Sequence, residues 1–136
     1  MTADARTGAV YLDSSAIVKL VVREPETEAL LAFLEPRPVR ITSALARVEV
    51  VRAVRHHGRT ATARATAILD ALSQIALDDA LLDSAAAINA NQLRSLDAIH
   101  LASAQQLEGE LDVLVTYDER MLAAARTLGL PVSLPT

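Results

Sequence analysis

The chain has 136 residues, a net charge of -4, a hydrophobic share of 51% and aromatics at only 2%. That length fits a single domain, and the scarcity of aromatics means a core packed with Ala, Val, Leu and Ile. The absence of cysteine excludes disulfides, thiolate metal sites and a cysteine nucleophile.

The first apolar run, Ala9-Val10-Tyr11-Leu12, reads as a buried strand that ends on Asp13. A helix over 14–22 follows, with a capping serine at its start, and a second over 26–34 lies between Pro25 and Pro36. Val39-Arg40-Ile41-Thr42 predicts the next strand, and a helix over 43–57 opens with Thr42 or Ser43 as cap and closes at Gly58. Helices are expected over 60–73 and 79–89, with a weak strand at 75–77 between them. A helix over 95–107, capped by Ser95, stops before Gly109. Val113-Leu114-Val115-Thr116 reads as a further strand, a helix over 118–128 ends at Gly129, and 132–134 is a weak last strand. Short β-branched runs alternating with helices predict an α/β fold: one domain over 1–136, with a parallel sheet of four to five strands and helices on both faces. Residues 1–8 are expected to be a flexible or partly ordered N-terminus. Met1-Thr2-Ala3-Asp4-Ala5-Arg6 lacks a signal-peptide pattern, and no apolar run nears the roughly 20 residues that span a bilayer. The expectation is a soluble, cytoplasmic protein with no membrane partner.

Ligands of open parallel sheets bind at the carboxyl ends of the strands. Asp13 ends one strand and Asp118 follows another by two residues, so both belong to that rim. Asp97 sits in the first turn of its helix, and Glu49 about two turns into another. Asp97 and Asp118 also read as ordinary acids at helix N-termini, where the macrodipole favours negative charge. Asp13 is less easily explained so, since an acid ending an apolar strand needs a ligand or a capping partner. Glu49 shares its helix face with Leu45, Val48 and Arg52, a setting in which a carboxylate calls for a cation or a proton. Four carboxylates in proximity repel one another, and a hard divalent cation with oxygen-only ligands, Mg²⁺ or Mn²⁺, resolves that repulsion. Ser14, Ser15 and Thr116 are hydroxyls near the same rim, able to orient carboxylates or simply to cap.

Despite the acidic total, Arg47, Arg52, Arg55, Arg59 and Arg64 cluster with only Glu49 against them, a segment of +4 that leaves -8 on the remainder. Such a stripe suits a polyanion, although charge runs are commonly just solvated helix faces. Arg52, Arg55 and Arg59 share a face if the helix passes through Gly58. His56 and His57 fit the C-terminal end of a helix dipole. His100 reads as a packed or hydrogen-bonded histidine ahead of a general acid, Tyr117 as an available stacking surface for a base, and Lys19 as a surface residue. Alanine-rich segments at 61–71 and 85–87 allow close helix approach, either within the core or across a dimer face.

Four segments, Tyr11-Leu12-Asp13-Ser14-Ser15-Ala16, Thr42-Ser43-Ala44-Leu45-Ala46-Arg47-Val48-Glu49, Leu96-Asp97-Ala98-Ile99-His100-Leu101-Ala102 and Val115-Thr116-Tyr117-Asp118-Glu119-Arg120, occur in that order. In these the chain resembles the PIN-domain ribonucleases, in particular the VapC toxins of bacterial type II toxin–antitoxin pairs. The resemblance implies Mg²⁺ or Mn²⁺ held by Asp13, Glu49, Asp97 and Asp118, with Ser14 and Thr116 in support. It also implies cleavage of single-stranded or looped RNA by a metal-activated water, leaving a 5′-phosphate and a 3′-hydroxyl. Arg47, Arg52 and Arg55 become candidate RNA contacts, and a homodimer neutralised by a small VapB-type antitoxin is expected. The other readings are an RNA-processing PIN nuclease that is not a toxin, and a non-catalytic RNA- or protein-binding module. A phospho-receiver domain would need a lysine at a later strand end, and Lys19 comes too early. A haloacid-dehalogenase-like phosphatase would need a second aspartate where Ser15 stands.

Overall fold

The computed structural model describes residues 8–136, so the expectation for the N-terminus lies, except at Gly8, outside the described residues. Five parallel strands, β1 (Ala9–Leu12), β2 (Arg40–Ser43), β3 (Ser73–Ile75), β4 (Leu111–Val115) and β5 (Val132–Ser133), form one sheet in the order β3-β2-β1-β4-β5. Among the described residues seven helices connect them: α1 (Ser14–Val21), α2 (Thr27–Leu34), α3 (Ala46–Val54), α4 (Arg59–Ala71), α5 (Asp79–Ala87), α6 (Ser95–Gln105) and α7 (Glu119–Thr127). Among the described residues no helix is long and apolar enough to cross a membrane.

Strand alternation sorts the core into two layers. Val10, Leu12, Val113 and Val115 pack with Ile17, Leu30, Val50 and Leu69, on the side of α1 to α4. Tyr11 and Leu114, on the opposite pleat, pack with Leu101, Met121 and Ala125, on the side of α6 and α7. A smaller cluster of Leu81, Ala85, Ala98 and Ala102 joins α5 to α6. The whole of β1 is buried, as a central strand covered on both faces must be. Ala61 and Ala65 lie inside the first layer, so core packing accounts for two of the five alanines in α4.

The element order follows the sequence expectation, and the differences are local. The third helix does not begin at Ser43, because Ser43 still pairs with Ile75 in the sheet and Ala44 N–H donates to the Ile75 carbonyl. The Ser43 hydroxyl instead accepts from Leu45 N in the turn that follows. The same helix stops at Val54, followed by a 3₁₀ turn over Arg55–His57, and Gly58 at φ 97° breaks the path before α4. Positive φ is cheap only for glycine, so Arg59 starts a separate helix and the arginine face proposed across Gly58 does not form. The weak strand expected at 75–77 lies two residues earlier, in register with β2. Ser95 is the first residue of α6, while Arg94 holds the cap position without a side-chain bond. Lys19 is not a surface residue. Its side chain is 12% exposed, paired with Glu24 and Glu26, and its ammonium lies 4.8 Å from the Tyr117 ring centre.

Leu101 is fully buried between α6 and the sheet. Leu101→Ala should cost about 2–5 kcal/mol by lost burial and the cavity left behind, measured by urea denaturation.

Candidate active site

Asp13 follows the last residue of the central strand and caps α1. Its Oδ1 accepts from Ala16 N at 3.0 Å and from the Ser15 hydroxyl at 2.7 Å, and its Oδ2 from the Thr116 hydroxyl at 2.5 Å. The residue is 2% exposed. Burial pushes its carboxyl above the ordinary range, against the opposing influence of His100 and of these donors. The same hydroxyls reach further: Tyr117 N donates to Ser15 Oγ and Asp118 N to Thr116 Oγ1. One buried carboxylate thus ties the ends of β1 and β4 to the starts of α1 and α7.

Asp118 caps α7, its Oδ1 accepting from both Arg120 N at 2.9 Å and Met121 N at 3.0 Å. Glu49, on α3, accepts at Oε1 from the Ser14 hydroxyl at 2.7 Å and lies 2.6 Å from His100 Nε2 through the same oxygen. Burial would raise the Glu49 carboxyl, but the bonds from His100 and Ser14 outweigh it and hold the group below its ordinary value. Glu49 is half-buried, not seated on an apolar stripe: Ala46, Val50 and Val54 form the buried face of α3, and Val48 is 58% exposed. Asp97, in the first turn of α6, is raised by burial and then by the negative charges of Asp118 and Glu49.

Glu49, Asp97 and Asp118 line one cleft of about 510 Å³, together with Arg94, Ser95, Leu96, Glu119 and Arg120. Asp13 does not line it. Among the described residues no three such side chains stand close enough to hold an ion in this conformation. The donor chemistry nonetheless fits a hard divalent cation. All the candidate donors are oxygens, their charges act on one another, and among the described residues Glu49 Oε2 and Asp118 Oδ2 have no protein donor.

Sequence reasoning placed the four acids at one edge, and three of them share a cleft. It missed Arg94 and Arg120, the two cations of that cleft, although each lies within three residues of a candidate aspartate. It also missed Tyr11 as a polar partner, since a tyrosine inside an apolar strand reads as core. Its hydroxyl lies 2.7 Å from His100 Nδ1, and burial pushes the phenol far above its ordinary value. His100 is 2% exposed and hydrogen-bonded through both ring nitrogens, as the packed reading expected. Arg52 and Arg55 are exposed outside the cleft lining, and Arg47 pairs with Asp70 at 3.3 Å. His56 and His57 are exposed in the turn after α3. Tyr117 is not a free stacking surface: Lys19 covers its ring and its hydroxyl donates to the Pro135 carbonyl at 2.7 Å.

A PIN-domain family model matches residues 10–127, a span that includes every acid lining this cleft. Ribonuclease VapC46 of Mycobacterium tuberculosis is 50% identical over 128 residues, which cover 94% of this chain and 98% of the relative. Ribonuclease VapC47 of the same species is 40% identical over 131 residues, covering 93% and 96%. A toxin–antitoxin complex from Klebsiella pneumoniae contains a chain of the same fold, with a TM-score of 0.71 at 22% identity over 93% of this chain and 98% of that one. The chain belongs to the PIN-domain family and, within it, to the VapC ribonucleases.

Asp97 gives a pH prediction for the metal-free protein. Its folded pKa is raised, so its contribution to stability is present at low pH and is lost as pH rises through the folded value. Asp97→Asn should therefore raise Tm at neutral pH, with the gain vanishing below the ordinary aspartate range. Thermal melts between pH 3 and pH 8 in EDTA, on the order of one unit apart, read this directly.

Proposed function

We propose that this chain is a divalent-metal-dependent endoribonuclease and the toxin of a VapBC-type pair. The observation that carries the reading is the cleft that Glu49, Asp97 and Asp118 line together at the carboxyl edge of a parallel sheet. Membership of the VapC family and the intact set of four acids support it.

In this reading Glu49, Asp97 and Asp118 hold Mg²⁺ or Mn²⁺, with Asp13 completing the acidic centre from its buried position. A bound divalent cation there supplies activation of a water and neutralisation of charge on a phosphodiester. The chain's own residues do the rest. Ser14 and His100 fix Glu49, while Thr116 and Ser15 fix Asp13. Arg94 and Arg120, exposed at the cleft, are placed in sequence and space to meet the phosphates that flank the scissile bond. Arg52 and Arg55, exposed beyond α3's buried face, extend that contact along the RNA, and Arg47 joins it when its exposed pair with Asp70 opens. His100 is too buried to give a proton to a leaving oxygen, so the departing 3′-oxygen takes its proton from solvent. The products are a 5′-phosphate and a 3′-hydroxyl. The active form is a cytoplasmic homodimer, held in check by a VapB-type antitoxin.

Asp13→Asn and Asp97→Asn should each lower Mg²⁺-dependent cleavage of a structured RNA by about 100-fold or more while the protein stays folded. Cleavage at the wild-type rate in both purified variants would sink the proposed centre. For the toxin role, expression of the chain alone should arrest bacterial growth, and co-expression of the product of a short adjacent upstream reading frame should restore it. Harmless overexpression together with full RNase activity would leave a processing nuclease in place of a toxin.

A further inference from the structure

Near the cleft, one side chain outside the four acids is bonded as extensively as Asp13. His100, on α6, is buried, with Nε2 2.6 Å from Glu49 Oε1 and Nδ1 2.7 Å from the Tyr11 hydroxyl. Ser14 Oγ stands 3.3 Å from the same Nε2 and donates to the same carboxylate oxygen. An ionised carboxylate only accepts, so Nε2 must carry a hydrogen in either charge state of the ring. In the neutral ring the Tyr11 hydroxyl then donates to Nδ1, which selects the required tautomer. Tyr11 reaches that position because it lies on the β1 pleat that faces α6, and its ring meets the imidazole edge-on at 5.9 Å between centres.

The consequence falls on the two oxygens of Glu49. Ser14 and His100 both engage Oε1, and among the described residues no protein donor reaches Oε2. One oxygen is anchored to α1 and α6, and the other keeps its lone pairs for an external partner. We propose that His100 is a positioning residue for metal binding: oriented by the Tyr11 hydroxyl, it clamps Glu49 through Oε1 and so presents Oε2 as the ligand oxygen. This rests on the metal-dependent reading above. Second partners that orient a ligand in this way commonly change metal affinity by about 10- to 100-fold when removed. A purely structural histidine would instead alter stability and leave the affinity of the folded protein unchanged.

The test is Mg²⁺ and Mn²⁺ binding by isothermal titration calorimetry on wild type, His100→Ala, His100→Gln and Tyr11→Phe, each checked for folding by circular dichroism. His100→Ala should weaken binding about 10- to 100-fold. His100→Gln, whose amide can donate near the former Nε2, should recover part of that loss. Tyr11→Phe keeps the ring and the core, and it should weaken binding by a smaller factor with the fold intact, so the proposal stays testable if His100→Ala does not fold. RNA cleavage should fall at low Mg²⁺ in these variants and return towards wild type at saturating Mg²⁺. Wild-type affinity in folded His100→Gln and Tyr11→Phe would overturn the clamp while leaving the nuclease reading intact. Failure of the wild type itself to bind either cation would overturn both.

Discussion

A carboxylate at 2% exposure, at the end of a central strand, is unfavourable unless every lone pair facing the protein is used. Asp13 meets that condition with three donors from two segments that are about a hundred residues apart in sequence: Ser15 and Ala16 beside it, and Thr116 after β4. The same hydroxyls accept from Tyr117 N and Asp118 N, which fixes the chain where α7 starts. The switch point of the sheet, between β1 and β4, is therefore fastened by polar bonds as well as by the ladder. Asp118 can line the cleft because this fastening sets the first turn of its helix.

The acids that line the cleft are held differently from Asp13. Glu49 and Asp118 each have one oxygen engaged by two protein donors and, among the described residues, one with none. Asp97 carries the cost of the arrangement, its charge disfavoured by burial and by its two acidic neighbours. A fold that tolerates such a cost at neutral pH gains by binding something positive there, because each carboxylate is better satisfied with a cation than without one. Stability and ligand affinity are thus opposed at these positions, which is why replacing Asp97 by a neutral isostere favours the metal-free fold.

The element order and the edge at which the acids gather were legible in the sequence because both rest on local patterns. Four-residue β-branched runs, Gly and Pro punctuation and helix-start residues lie next to the elements they define. The start of the third helix was not legible, since Ser43 is an equally good cap and strand end, and only its pairing with Ile75 decides between them. Lys19 looked like a surface cation because nothing local reveals Tyr117 a hundred residues on. The setting of Glu49 was misread for a related reason. Helical periodicity identifies a stripe, but which stripe is buried depends on where α1 and α4 pack, and they cover Ala46, Val50 and Val54.

Strand parity links the core to the chemistry of the cleft. Val10 and Leu12 face the layer of α1 to α4, and Tyr11 faces the layer that contains α6. Continuing the alternation, Asp13 falls on the side of Tyr11, and His100 is the charge that most opposes the effect of burial on it. Tyr11 therefore bonds this imidazole from the pleat that Asp13 continues, while Glu49 reaches it from α3. A one-residue slip of β1 would bury Leu12 where Tyr11 stands, removing the hydroxyl that meets His100 and turning the Asp13 carboxylate away from Thr116. Register in this strand is thus a condition for the site as much as for the core, and it is fixed by Val10 and Leu12, which face the opposite layer.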